Sequence, residues 1–202
     1  MEMIATVHPH SGELTGDVIT RKELYAEKKW CRTTNIFIFN SDGHVLCHQR
    51  SMDKEVFPGV WFTHTGGHVG ADESFESNAM KELEEEAGIA ISEDMLIPWR
   101  TTRKDSHRFW IREFVVVVDV AASDLVPQPG EVEEFQWLSI DDIINNQKNF
   151  PELWVAGTHD FITEYNCMRA ILSAFSHKKH LNDVHHSMKE WGGTIGTPGL
   201  VF

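Results

Sequence analysis

The apolar positions of this chain change period several times, and each change marks an element. Residues 109–120 (FWIREFVVVVDV) hold a nearly continuous apolar run, which predicts a central strand buried on both faces. Residues 35–40 (NIFIFN) and 44–50 (HVLCHQR) are β-rich runs on either side of the turn residues Ser41, Asp42 and Gly43, and together predict a hairpin. Residues 133–138 (EEFQWL) predict another strand. The period then turns helical. Met80, Leu83 and Ala87 fall at i, i+3 and i+7, with Ser74 as an N-cap and Gly88 as a stop. Ser139, followed by Ile140, Asp141 and Asp142, starts a short helix. Phe161, Ile162, Tyr165, Met168, Ile171, Leu172 and Phe175 line one side of a C-terminal helix over about 158–177. Residues 1–30 are polar and turn-rich and predict an arm, a short hairpin ending in a helical turn, while 179–202 form a polar, His-rich tail.

The chemistry concentrates between residues 67 and 89 (GHVGADESFESNAMKELEEEAGI). Glu82, Glu85 and Glu86 stand at i, i+3 and i+4, so a helix puts them on one face. Three like charges so placed repel each other unless a cation binds. Hard divalent ions take oxygen ligands of this kind and bridge to substrate phosphates. Lys81, four residues before Glu85, is placed to pair with it. A solvated acidic face is the alternative. The glycine turn, Glu73 and the helix stop, all present together, favour a metal site.

This run resembles the Nudix box, in which Gly67, Glu73, Glu82, Leu83, Glu85, Glu86, Gly88 and Ile89 all match and Lys81 stands where the family has Arg. The resemblance implies an α/β fold, the Nudix α/β/α sandwich with a central mixed β-sheet. It also implies hydrolysis of a diphosphate linkage with Mg²⁺ or Mn²⁺. The family Arg orients a metal-binding Glu through a two-pronged contact. Lys supplies charge without the fork, so Glu85 is expected to be more loosely positioned.

Size and charge narrow the reading. The 202 residues suit one such domain, over 1–178. The net charge of −13 disfavours bulk binding to nucleic acid or anionic membranes, so a phosphate substrate must be met by metal and a few local cations. Cys31, Cys47 and Cys167 are odd in number and widely spaced, as expected of reduced thiols in a cytoplasmic protein. No apolar signal core or bilayer-length span is visible. The partner expected is a small-molecule diphosphate, with the chain a monomer or homodimer.

Further motifs resemble the isopentenyl-diphosphate isomerase branch of the superfamily: Thr15 with Gly16, Arg21, the run from Trp30 to Arg32, Arg50 with Lys54, the run from Phe57 to Trp61, Gly66 to His68, and Phe150 with Pro151. That family carries a Cys where this chain has Gly66, and a metal-binding His where it has Cys31. Glycine cannot move a proton, so the resemblance implies an isomerase-like hydrolase. Isomerisation, or a binding module with weak catalysis, is the alternative. Glu82, Glu85, Glu86 and the Gly67 carbonyl are the expected metal ligands. Glu85 or Glu86 is a candidate base, with Lys81 positioning. Glu113 is the candidate base outside the box, unless it is exposed and paired with Arg112 or Lys104. Arg50 and Lys54 are candidates for phosphate, or surface charge; His68 is a candidate for metal or phosphate, while His64 is expected to hydrogen-bond locally. Glu131, Glu133 and Glu134 read as a solvated acidic loop, and Trp61, Phe62, Trp99 and Trp110 as core. Specificity is expected from the N-terminal arm, a loop over 98–106 and the segment after Phe150.

Overall fold

The computed structural model describes residues 2–155; the C-terminal helix, the polar tail and Cys167 lie outside the described residues. The arm is a hairpin of β1 (Met3–Val7) and β2 (Leu14–Thr20), followed by the helical turn α1 (Arg21–Ala26). Thr20 caps α1 reciprocally with Glu23.

The strand that organises the sheet is β3 (Cys31–Phe39), which starts four residues before the apolar run that predicts it. Three more strands follow it in the chain: β4 (Val45–Arg50), the short β5 (Trp61–Phe62) and β6 (Ile97–Lys104). The strand β7 (Phe109–Val117) runs parallel to β3 along its whole length, and β6 lies antiparallel on the far side of β7. The apolar run is therefore central, as its composition demands. The last strand, β8 (Val132–Leu138), pairs antiparallel with β4.

Two expectations need correction. The hairpin of β3 and β4 pairs only at Phe39 and Val45. The segment leading into the acidic helix occupies the edge of β3 instead, with Thr65 opposite Ile36 and His68 opposite Thr33, while β4 finds β8 and β5. Residues 98–106 are not a loop, for most of them belong to β6. An edge strand can stay polar because it pairs on one side only, so its sequence lacks the apolar signal of β7.

Alternation along the strands builds two cores. Ile36, Ile38, Leu46, Phe114 and Val116 face the helix α2 (Phe75–Ala87) and pack on its Ala79, Leu83 and Ala87. On the other face, Phe37, Phe39, Val45, Cys47, Ile97 and Val115 pack with Ile143 of α3 (Ile140–Asn149) and with Trp154. A smaller cluster joins Ile4, Leu24 and Cys31 beneath α1. The result is an α/β/α sandwich on a central mixed sheet. Among the described residues, no helix is long and apolar enough to cross a membrane.

Candidate metal centre

The acidic helix is fixed at both ends by its own sequence. Ser74 caps α2, accepting the Ser77 N–H at 3.0 Å, and Gly88 ends it in the left-handed conformation at φ 70°. Leu83 and Ala87 are fully buried, which turns Glu82 and Glu86 toward the glycine turn and leaves Glu85 exposed. A side chain at Gly67 would collide with the Glu82 carboxylate, so this glycine is what admits Glu82 to the turn. The Gly67 carbonyl accepts the Thr34 N–H at 2.9 Å and keeps a second lone pair.

Glu86 is 9% exposed, and its Oε2 is buried with no hydrogen-bond partner. The Gly66 N–H bonds to its carboxylate. Burial, then the Glu82 charge, push Glu86 up to about 8. Burial, then the Glu85 charge, push Glu82 up to about 7. Two carboxylates held against their own ionisation, one with an orphaned oxygen, form a donor set that suits a hard cation. Among the described residues, no three His, Cys, Asp or Glu side chains are gathered closely enough to hold a metal ion by themselves.

Lys81 does not pair with Glu85. Its Nζ lies 3.0 Å from Glu73 Oε1. Glu73 is the better-fixed partner, because its Oε2 accepts the Gly70 N–H at 2.8 Å and the Asn78 amide at 2.9 Å. Lys81 thus steadies the turn that carries Gly67 and Gly70. The Glu85 orientation expected from Lys81 is absent.

The other candidates separate. Glu113 is buried and bound by Arg100, whose Nε contacts Oε2 and whose Nη2 donates to Oε1 at 3.3 Å. The expected alternative of an exposed Glu113 paired with Arg112 or Lys104 does not hold, because β6 brings Arg100 into register with it. Its neighbour Phe114 packs on α2, so alternation turns Glu113 to the opposite face of the sheet from Leu83. His68 is buried, with Tyr25 Oη 3.2 Å from its Nε2 and Phe109 edge-on at 5.4 Å. Burial, aided by the Arg21 charge, lowers His68 to about 4. His64 sits against Phe37 and Phe62, at 5.4 and 5.8 Å between ring centroids. Trp61 and Trp99 pack on the core under α3. Arg50 and Lys54 are three-quarters buried and both pair with Glu131. Glu131 is thus no free loop carboxylate, and its charge adds to the upward push on Glu86. Nothing in the local sequence reveals this, because Glu131 reaches the site through the docking of its loop on α2.

A family model, the NUDIX domain, matches residues 29–156. The chain belongs to the Nudix family. Its Nudix box is the turn and helix just described. The uncharacterized Nudix hydrolase PA4841 of Pseudomonas aeruginosa is 39% identical over 153 residues, covering 74% of this chain and 86% of that protein. An isopentenyl-diphosphate Delta-isomerase of Kocuria rhizophila is 32% identical over 117 residues, covering 56% of this chain. The chain spans 65%, 57% and 58% of the length of three such isomerases. DR0079 of Deinococcus radiodurans shares the fold, with a TM-score of 0.66 at 21% identity, over 81% of this chain and 98% of that one.

Within this Nudix domain, the two positions that depart from the isomerase pattern have structural content. Gly66 lies at φ +142°, and a Cβ there would overlap the Thr34 carbonyl. Cys31 is fully buried beside Ile4 and Leu24, and burial pushes its thiol up to about 12. The place of the isomerase's metal-binding His is therefore filled by an apolar cluster.

Proposed function

We propose that this protein is a divalent-metal-dependent hydrolase that cleaves a diphosphate linkage in a nucleoside diphosphate derivative or a related compound, by attack of water at phosphorus. The observation that carries the reading is Glu86, buried at the Nudix turn with Oε2 unpartnered. Glu82, Glu85, Glu86 and the Gly67 carbonyl would hold Mg²⁺ or Mn²⁺. Such an ion, when bound, neutralises diphosphate charge and acts as a Lewis acid.

The chain's own residues supply the rest. Arg50 and Lys54, joined through Glu131, whose loop is bonded to the end of the Nudix helix, bind phosphate oxygens. Glu86 or Glu85 takes the proton of the attacking water. Lys81, through Glu73, keeps the glycine turn in shape around Glu82. Glu113 serves by holding Arg100 on the opposite face rather than by accepting a proton. The buried, free thiols of Cys31 and Cys47 accord with a reducing cytoplasm. Isomerisation is not favoured, because Gly66 offers no group to move a proton. The test is phosphate release across nucleotide and isoprenoid diphosphates with Mg²⁺, in the native chain and in Glu86→Gln. Activity that survives the substitution intact would defeat the reading.

A further inference from the structure

The loop before β8 is fastened to the end of α2. The Val126 N–H donates to the Ala87 carbonyl, and the Gln128 N–H to the Glu86 carbonyl, both at 3.1 Å. The Glu131 N–H donates to the Gln128 carbonyl at 3.0 Å, and the Glu131 carbonyl accepts the Ser51 N–H at 2.9 Å. The backbone of Glu131 is therefore fixed between the helix that carries Glu86 and the end of β4. Its side chain, one-third exposed, turns to two cations. Arg50 Nη1 lies 3.7 Å from Oε2, and Lys54 Nζ pairs with Oε1. Arg50 is itself tied back, with its Nε donating to the Val56 carbonyl at 3.0 Å. One carboxylate, on a fixed backbone, sits where the proposed function needs a phosphate.

We propose that Glu131 is a tethered counter-ion that fills the Arg50–Lys54 phosphate site in the free protein and yields it to the substrate's diphosphate. The inference rests on the diphosphate-hydrolase reading and adds a specificity-determining residue to it. A lone carboxylate offers two acceptor oxygens and one charge. A diphosphate offers more of both and outcompetes it, whereas a singly charged anion does not. The site is thereby screened against small anions without any closing lid. With the diphosphate seated, Glu131 turns away from both cations, so its cost falls on binding.

The test uses the full chain and inorganic pyrophosphate with Mg²⁺ as the probe, followed by titration calorimetry. Glu131→Gln keeps the shape and removes the competing charge. It is expected to bind pyrophosphate about tenfold more tightly, the size expected when two partly exposed ion pairs stop competing. Glu131→Asp is expected to stay near the native affinity, and adding Arg50→Ala to Glu131→Gln to abolish the gain. Unchanged or weaker pyrophosphate binding in Glu131→Gln overturns the proposal. So does a hundredfold loss of kcat with pyrophosphate affinity unchanged, which would mark Glu131 as a proton acceptor. Pyrophosphate binding is measured whether or not any diphosphate is turned over. A native chain inactive on every substrate would therefore strike the hydrolase reading and leave this result to be judged by itself.

Discussion

Restoring the isomerase's cysteine at residue 66 tests whether the glycine there is a structural requirement. The backbone at Gly66 holds φ +142°, a region L-residues rarely enter, and a Cβ would lie 2.8 Å from the Thr34 carbonyl carbon. The obstacle is backbone, so no rotamer relieves it. Relief requires moving the segment that bonds β3 through Ile36 N–H to Thr65 O at 2.8 Å and Thr34 N–H to Gly67 O at 2.9 Å. Strained backbone costs roughly 1–3 kcal/mol, and each of two weakened hydrogen bonds about 1 kcal/mol, so Gly66→Cys should lose about 3–5 kcal/mol. For a chain of this size that corresponds to a fall in Tm of roughly 6–20 °C. Thermal and urea unfolding followed by circular dichroism measure the loss, and an isomerisation assay on isopentenyl diphosphate runs beside them. A variant that melts within 2 °C of the native chain would refute the reasoning. Isomerase activity in a stable Gly66→Cys would refute it as well, because the cysteine would then sit in its place without displacing the segment against Thr34.

Four further outcomes follow from the same geometry. Gly67→Ala places a methyl against the Glu82 carboxylate, a movable group, so Mn²⁺ affinity should fall about tenfold or more while Tm changes by a few degrees at most; equal metal affinity would contradict the assigned role of Gly67. Glu82 and Glu86 have folded pKa values raised to about 7 and about 8, so the stability they lend is full below about pH 4.5 and lost as pH rises through 7 to 8. His48, His64 and His68 are shifted down by burial and act in the opposite sense only below about pH 6.5, so the metal-free protein should melt lower at pH 9 than at pH 6.5. Mg²⁺ should raise Tm more at pH 9 than at pH 6.5, and an increment that shrinks with pH would speak against these carboxylates as ligands. Arg100→Ala leaves the buried Glu113 carboxylate without its arginine and should cost about 2–3 kcal/mol in urea unfolding, partly recovered by adding Glu113→Ala; a double variant less stable than the single one would count against the pair.

Helix α2 was legible because its instructions are local. Ser74, Gly88 and the spacing of Leu83 and Ala87 fix its ends and its buried face, and with them which glutamates meet the glycine turn. The apolar run of β7 likewise declared its central place. What escaped depends on partners distant in sequence. Lys81 stands one helical turn from Glu85, but Glu73, locked by Gly70 and Asn78, takes it. Arg100 meets Glu113 only through the register of two strands, and Glu131 reaches Glu86 only because residues 126 and 128 bond the end of α2. Residues 98–106 read as a loop because a polar edge strand carries little of the pattern that marks a strand. The family resemblance supplied the sandwich, which no single run of residues could.

Phosphate release from a panel of nucleotide and isoprenoid diphosphates with Mg²⁺, measured on the native chain and on Glu86→Gln, tests the central claim most directly. Removing a carboxylate that both holds the metal and is a candidate proton acceptor should lower kcat/KM on the accepted class by about 10²-fold or more, while the metal-free Tm at pH 9 rises because the native carboxylate is ionised there in a buried site. Hydrolysis of equal efficiency in Glu86→Gln, or no hydrolysis of any diphosphate by the native chain, would contradict it.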